Sequence, residues 1–129
     1  MHMQSIANKI KIKVIPRYLS TYSNPQERQF LFAYRIVITN KSEEDIQLLA
    51  RHWHIFESIN TFKEIKGKGV VGKQPIILSS EAYEYQSFCE LRSDMGMMWG
   101  SFLLKKLNSN EKFEVKIPTF QLIHHCRLN

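Results

Sequence analysis

The chain has 129 residues, a length that fits one domain, and 43% of them are hydrophobic, so a packed core is expected. No apolar run approaches the roughly 20 residues of a bilayer-spanning helix, so membrane insertion is not expected. The N-terminus has no apolar segment of the kind found in secretory signals, which favours a cytoplasmic location. In that reducing compartment, Cys89 and Cys126 are expected to be free thiols.

The formal charge is +6, and all of the excess lies in the first part of the chain. Residues 1–73 carry 12 Lys and Arg against 6 Asp and Glu, whereas residues 74–129 carry 6 of each kind. A basic surface favours an anionic partner such as phosphate, nucleic acid or an acidic protein. Charge of this modest density is also typical of a solvated face that has no partner.

Most of the chain alternates between apolar and polar residues with the period of a β-strand. Lys9–Val14 alternates strictly, and Pro16 should make the end of this strand an edge or a bulge. Gln29–Thr39 is apolar on one face and partly apolar on the other, which predicts a central strand. Further strands are predicted at Thr61–Lys66, Ile76–Leu78, Glu81–Glu90, Met98–Leu104 and Lys112–Ile117, with Pro118 ending regular pairing on one side. About seven strands separated by turns indicate an antiparallel β-sandwich.

The segment Ile46–Phe56 fits two structures. Ile46, Leu49, Ala50 and Trp53 fall at helical spacing, and the pattern alone slightly favours a helix. In a strand, the Leu48-Leu49 pair would mark a bulge, and His52 would share a face with His54. The strand-like surroundings favour this second structure.

The segment from Glu64 to Pro75 holds three of the five glycines and three lysines. The spacing of Gly67, Gly69 and Gly72 matches the dinucleotide fingerprint, but that fingerprint needs a helix that opens at its end. Pro75 and two β-branched residues follow directly, so no helix can begin there. A structural turn is therefore the leading interpretation. The alternative is a nest of backbone amides that holds a phosphate or an acidic side chain, assisted by Lys66, Lys68 and Lys73.

Other chemistries have less support. His52 and His54 would point the same way in a strand, but a transition-metal site needs a further ligand that the sequence does not place, so no metal site is predicted. Neither a nucleophile elbow nor a motif of paired carboxylates is found, which argues against an enzyme. The aromatics alternate as core residues do, so a nucleic acid is not the expected partner.

Several separated blocks of the chain follow one another in a characteristic order. They are Phe32-Ala33-Tyr34 with Ile36, Gln47–Ile55, Gly67–Pro75, Tyr85-Gln86-Ser87, Gly96-x-Met98-x-Gly100 and Ile117–Leu122. In these blocks the chain resembles the bacterial ApaG proteins, also called CorD, whose domain also occurs in some eukaryotic F-box proteins and in a polymerase-delta-interacting protein. The likeness covers about residues 9–123. Departures are Phe88 in place of the usual glycine, Ile59-Asn60 in place of Asn-Gly, and the sequence after Ile123.

The resemblance implies a fibronectin type III-like or immunoglobulin-like sandwich, in which Ile46–Phe56 is a strand and Trp53 is its core aromatic. It further implies an association with cobalt resistance and magnesium efflux in bacteria, and protein–protein interaction in the eukaryotic domains. It supplies no catalytic residues.

The sequence therefore predicts an N-terminal extension at residues 1–8, a single domain at residues 9–123 and a tail at residues 124–129. The predicted function is a non-enzymatic protein-interaction module without a cofactor, whose partner is not identified. Binding of a small anion, a nucleotide or a divalent metal is the alternative. The exposed edges of an open sandwich would also allow a homodimer. The predicted contact surface comprises Arg51, His52, Lys66, Gly67, Lys68, Gly69, Gly72 and Lys73.

Overall fold

The computed structural model describes residues 6–124, which form eight β-strands and two short 3-10 turns at Ser20–Tyr22 and Pro25–Glu27. The strands are β1 (Ile10–Tyr18), β2 (Phe30–Asn40), β3 (Ile46–Glu57), β4 (Thr61–Lys68), β5 (Ile76–Ile77), β6 (Ala82–Leu91), β7 (Met95–Lys106) and β8 (Lys112–Ile123). The described part of the chain has no helix long and apolar enough to cross a membrane.

The strands form two antiparallel sheets. One has the order β1-β2-β6, and the other has the order β4-β3-β7-β8, with β5 paired to the first residues of β3. This arrangement confirms the predicted all-β sandwich of the fibronectin type III or immunoglobulin kind. The predicted central strand is β2, which lies in the middle of the three-stranded sheet.

The core lies between the two sheets, where the alternating apolar residues of each strand meet. From β2 it takes Phe30, Phe32, Tyr34, Ile36 and Ile38, all of them buried. Trp53 is 2% exposed and contacts aromatic rings from both sheets, so the prediction of a core aromatic at this position is confirmed. Alternate positions of β3 face outward from the five-stranded sheet, and these positions include His52 and His54.

The segment that fitted both a helix and a strand is the strand β3, so the helical interpretation is wrong. Its pairing with β7 shifts register between Leu48 and Ala50, which confirms a bulge at the Leu48-Leu49 pair. The bulge explains the helical pattern, because one extra residue changes which side chains face the core. It also frees the carbonyl of Leu49 to accept hydrogen bonds from the glycine-rich segment.

Both strands that contain a proline extend beyond it. β1 is an edge strand, as predicted, yet Pro16 still lies opposite Tyr34 and the strand ends at Tyr18. β8 continues from Pro118 to Ile123 after a register shift against β7. A proline is tolerated in these edge strands because its missing N–H can face away from the neighbouring strand.

The structure places more of the N-terminus in the core than we expected. Ile6, within the segment predicted to be an extension, is 1% exposed and packs in the main cluster. At the other end, the ring of His124 contacts those of Tyr18 and Phe30. Residues 1–5 and 125–129 lie outside the described residues. They include most of the predicted extension, most of the predicted tail, and Cys126.

Candidate functional site

The glycine-rich segment begins at the end of β4 and forms a tight turn. The N–H of Val70 donates to the carbonyl of Lys73 over 2.8 Å, and the N–H of Lys73 donates back over 3.0 Å. The two residues between them, Val71 and Gly72, have φ angles of 47° and 75°. Two consecutive left-handed residues closed in this way are typical of a type I′ hairpin turn. The segment is therefore the turn that the sequence predicted.

Gly69 precedes the turn in a left-handed conformation, with φ of 65°. A Cβ at this position would overlap the carbonyl oxygen of Lys73 and lie 2.9 Å from the carbonyl carbon. The N–H of Gly69 donates to Leu49 over 2.7 Å. Three backbone N–H groups of the segment, those of Gly69, Val70 and Lys73, thus bond to carbonyls of the chain itself.

Gly67 lies beneath the side chain of Arg51, its cross-strand partner. A Cβ on Gly67 would come within 2.6 Å of the guanidinium carbon. Arg51 Nη1 donates to the carbonyls of Lys68 (3.2 Å) and Gly69 (2.9 Å). The guanidinium therefore holds the end of β4 in place. A second side chain, Gln74, ties the segment to β3, because its Nε2 donates to the carbonyl of Leu49 over 2.9 Å.

The predicted cationic side chains divide into two groups. Lys66 and Lys68 alternate along β4 onto the outer face of the five-stranded sheet, opposite His52 and Ala50 of β3. Lys66, Lys68, His52 and Arg51 line a shallow groove of about 510 Å³ that Glu114 of β8 also lines. Lys73 is exposed on the turn itself. The structure thus brings Arg51, His52, Lys66 and Lys68 together and places Lys73 at the turn.

A cluster of metal-ligating side chains lies on the same face, and only part of it was anticipated. His52 and His54 point the same way, with ring centroids 4.5 Å apart. Glu64 of β4 is paired with His54 across the strands, and its Oε2 lies 2.5 Å from Nε2 of His52. This hydrogen bond lowers the pKa of the Glu64 carboxyl. Glu64 was not among the residues predicted from the sequence, and it is the register of the β3–β4 hairpin that places it beside the histidines.

Aromatic side chains surround the histidines. The ring of His54 stacks on Trp99 of β7 at 5.5 Å and 13°, and it also contacts Phe62 of β4 at 5.8 Å. Phe62 is 56% exposed. The outer face of the larger sheet therefore combines imidazole, carboxylate, aromatic and ammonium groups on neighbouring strands.

Cys89 lies on the inner face of β6 and is a free, buried cysteine. Burial raises the pKa of its thiol to about 11. Reactive cysteines have a lowered pKa, because the thiolate is the nucleophile. The surroundings of Cys89 therefore suit a core residue and not a nucleophile.

In a Cys126→Ser variant, Cys89 should consequently be almost inert toward a thiol-specific reagent at pH 8. With a pKa of about 11, about one thiol in a thousand is ionised at that pH, and the sheets restrict access as well. Ellman's reagent should titrate one thiol in urea and react hundreds of times more slowly without it. Rapid reaction of the folded protein would contradict the assigned environment.

Comparison with known proteins agrees with the fold and the sequence blocks. The model of the ApaG domain family matches residues 20–106. The chain is 40% identical over 117 residues to "Protein ApaG" of Rhodospirillum centenum, covering 91% of this chain and 89% of that protein. It is 36% identical over 118 residues to "Protein ApaG" of Brucella abortus, covering 92% and 90%.

A solved structure gives the same result. The crystal structure of a Bordetella pertussis protein described as ApaA is similar to this chain with a TM-score of 0.85 and 37% identity. The similarity covers 88% of this chain and 92% of that chain. The family model, the relatives of nearly equal length and the solved structure all point to one family. This chain therefore belongs to the ApaG family.

Proposed function

We propose that this chain is a non-enzymatic protein-interaction module of the cytoplasm, and that the Val70–Lys73 turn with its neighbouring lysines contacts the partner. In this proposal the partner is a protein with an apolar pocket bordered by carboxylates. The link to cobalt resistance and magnesium efflux that the resemblance implies would then arise through the partner.

The observation that carries the proposal is the conformation of Val71. A left-handed conformation costs an L-residue roughly 1–2 kcal/mol, and a β-branched side chain is among the least suited to it. Core packing does not compensate for this cost, because Val71 is 61% exposed. Glycine or asparagine would form the same turn at lower cost. An exposed, strained apolar side chain at the tip of a rigid turn is well placed to be a binding contact.

The surroundings of Val71 fit such a contact. Exposed Lys68 and Lys73 flank it in sequence, and the segment continues with two further exposed apolar residues, Ile76 and Leu78. Apolar anchors with a charged rim are the usual composition of a protein interface. The anion alternative is weaker here, because Gly69, Val70 and Lys73 direct their N–H groups to the chain itself.

Replacing Val71 with asparagine should separate binding from stability. Asparagine tolerates the left-handed conformation, so the free energy of unfolding should stay the same or rise by up to about 1 kcal/mol. Loss of the apolar side chain should at the same time abolish capture of the partner. Urea denaturation measures the first effect, and quantitative affinity capture with cross-linking from extracts of the source organism measures the second.

A pair of charge reversals provides the matched control. The double variant Lys68→Glu/Lys73→Glu should no longer capture the partner. The control Lys11→Glu/Lys13→Glu makes the same change of charge on β1 of the other sheet, and it should capture the partner as the wild type does. Sedimentation of the wild type shows whether a second copy, joined through a sheet edge, is the partner. If Val71→Asn and Lys68→Glu/Lys73→Glu both capture the same proteins as the wild type, this surface is not the interface.

A further inference from the structure

Two strands of the larger sheet converge on three ligand groups. His52 and His54 are two residues apart on β3, so both project from its outer face. Glu64 reaches the same point from β4, because the hairpin register pairs it with His54. One ligand atom from each of the three residues lies within 4.8 Å of the others.

The site is already partly organised without an ion. Stacking on Trp99 and contact with Phe62 restrict the ring of His54. The hydrogen bond to Glu64 holds Nε2 of His52 beside the carboxylate. Side chains held in place by their neighbours lose less freedom when they bind an ion, which favours binding.

We propose that His52, His54 and Glu64 form a binding site for a transition-metal dication of the Zn²⁺ or Co²⁺ type. Two imidazole nitrogens and one carboxylate oxygen suit these ions, whereas Mg²⁺ requires an octahedral shell of oxygens. Three protein ligands leave at least one coordination position open to water or to a donor from another molecule. This site is independent of the turn around Val71 and does not rest on the interaction proposal.

Only a small movement is needed to bind the ion. Ligand atoms at zinc distances from a tetrahedral centre lie about 3.3 Å apart. The three ligand atoms already lie within 4.8 Å of one another. The Glu64 side chain is 47% exposed and that of His52 is 32% exposed, so both have room to move toward that spacing. The same exposure gives the ion access from solvent. Lys66 is exposed and is paired with His52 across the strands. Its positive charge repels the metal ion and lowers the affinity of the site for it.

The test is titration of the purified protein with Co²⁺ and Zn²⁺. Calorimetry detects binding of both ions, and visible absorption also detects binding of Co²⁺. All proteins carry the background changes His2→Ala, His125→Ala and Cys126→Ser, which remove ligand groups near the termini. The background protein should bind one ion per chain and melt at a higher temperature with Co²⁺. Mg²⁺ at the same concentration should produce neither effect.

Single variants assign the site. His52→Ala, His54→Ala and Glu64→Gln should each weaken binding at least about tenfold and abolish the rise in melting temperature. The matched controls His124→Ala and Glu84→Gln remove a histidine near the end of β8 and a carboxylate on β6 of the other sheet, and they should bind as the background protein does. Because His52 and Glu64 lie on the outer face and are partly exposed, their variants should keep the melting temperature of the metal-free protein. His54→Ala also loses the stacking on Trp99, so the effect of Co²⁺ is measured for each variant against the same variant without metal. Absence of binding by the background protein, or unchanged binding by His54→Ala and Glu64→Gln, would overturn the proposal.

Discussion

Replacing Trp53 with alanine should lower the free energy of unfolding by about 3–5 kcal/mol. The indole is 2% exposed and makes edge contacts with Tyr34, Phe102 and Phe120, at centroid distances of 5.6, 6.4 and 5.8 Å. These rings come from β2, β7 and β8, so the indole joins both sheets. Its removal loses the transfer free energy of a large aromatic side chain and leaves a cavity that the strands cannot close.

The matched control is Trp99→Ala, because Trp99 lies on the outer face and is half-buried. It stacks on His54, and loss of this contact should cost no more than about 1.5 kcal/mol. Equilibrium unfolding in urea, followed by far-ultraviolet circular dichroism, measures both variants. If both variants lowered the free energy of unfolding by the same amount, the contacts of Trp53 between the two sheets would not be the main source of its stabilising effect.

Replacing Gly69 with alanine should destabilise the protein by about 3 kcal/mol, the second largest effect that we expect. The added methyl group would overlap the Lys73 carbonyl, and φ of 65° is unfavourable for alanine in any surroundings. The turn could relieve the overlap only by breaking the Val70–Lys73 pair or the bond from Gly69 to Leu49.

A variant at Gly72 distinguishes the two causes of the destabilisation, which are the steric overlap and the left-handed backbone conformation. The φ of 75° at Gly72 is also left-handed, but a Cβ there meets no heavy atom within 4 Å. Gly72→Ala should therefore cost only about 1 kcal/mol, the price of the backbone conformation alone. Thermal and urea unfolding of the two variants give the comparison. If Gly69→Ala were as stable as Gly72→Ala, the close approach of the backbone at Gly69 would not be what requires glycine there.

Much of the fold could be predicted because strand periodicity is a local property. The alternation of β2 and of the first part of β8 directly identifies the residues that face the core. β3 was ambiguous because the Leu48-Leu49 bulge disturbs that alternation, and the resemblance to a family was needed to identify the strand. β1 is the edge strand that Pro16 indicated, and the register of β8 shifts at Pro118, where regular pairing was expected to end. The alternating patterns of Lys9–Val14 and Lys112–Ile117 did not show that both strands continue beyond their proline, because pairing with the neighbouring strand outweighs the local preference of proline.

The candidate sites were less predictable, because they depend on which residues of different strands become neighbours. The sequence placed His52 and His54 on one face, but the register of the β3–β4 hairpin decided that Glu64 joins them. The glycine spacing indicated a turn. The sequence did not show why glycine is needed at two of these positions. Distances in the folded chain show that Gly67 leaves room for the Arg51 side chain and that Gly69 lies against the Lys73 carbonyl.

The sequence by itself determined an all-β sandwich, because side-chain periodicity and turn residues act over a few neighbouring positions. Its resemblance to the ApaG family added that Ile46–Phe56 is a strand and that Trp53 is the core aromatic. Only the tertiary structure decided that Val71 is strained and exposed, that Arg51 binds the carbonyls of the loop, and that Glu64 meets the two histidines. These features depend on strand register, and register is set by the packing of a whole face against the opposite sheet.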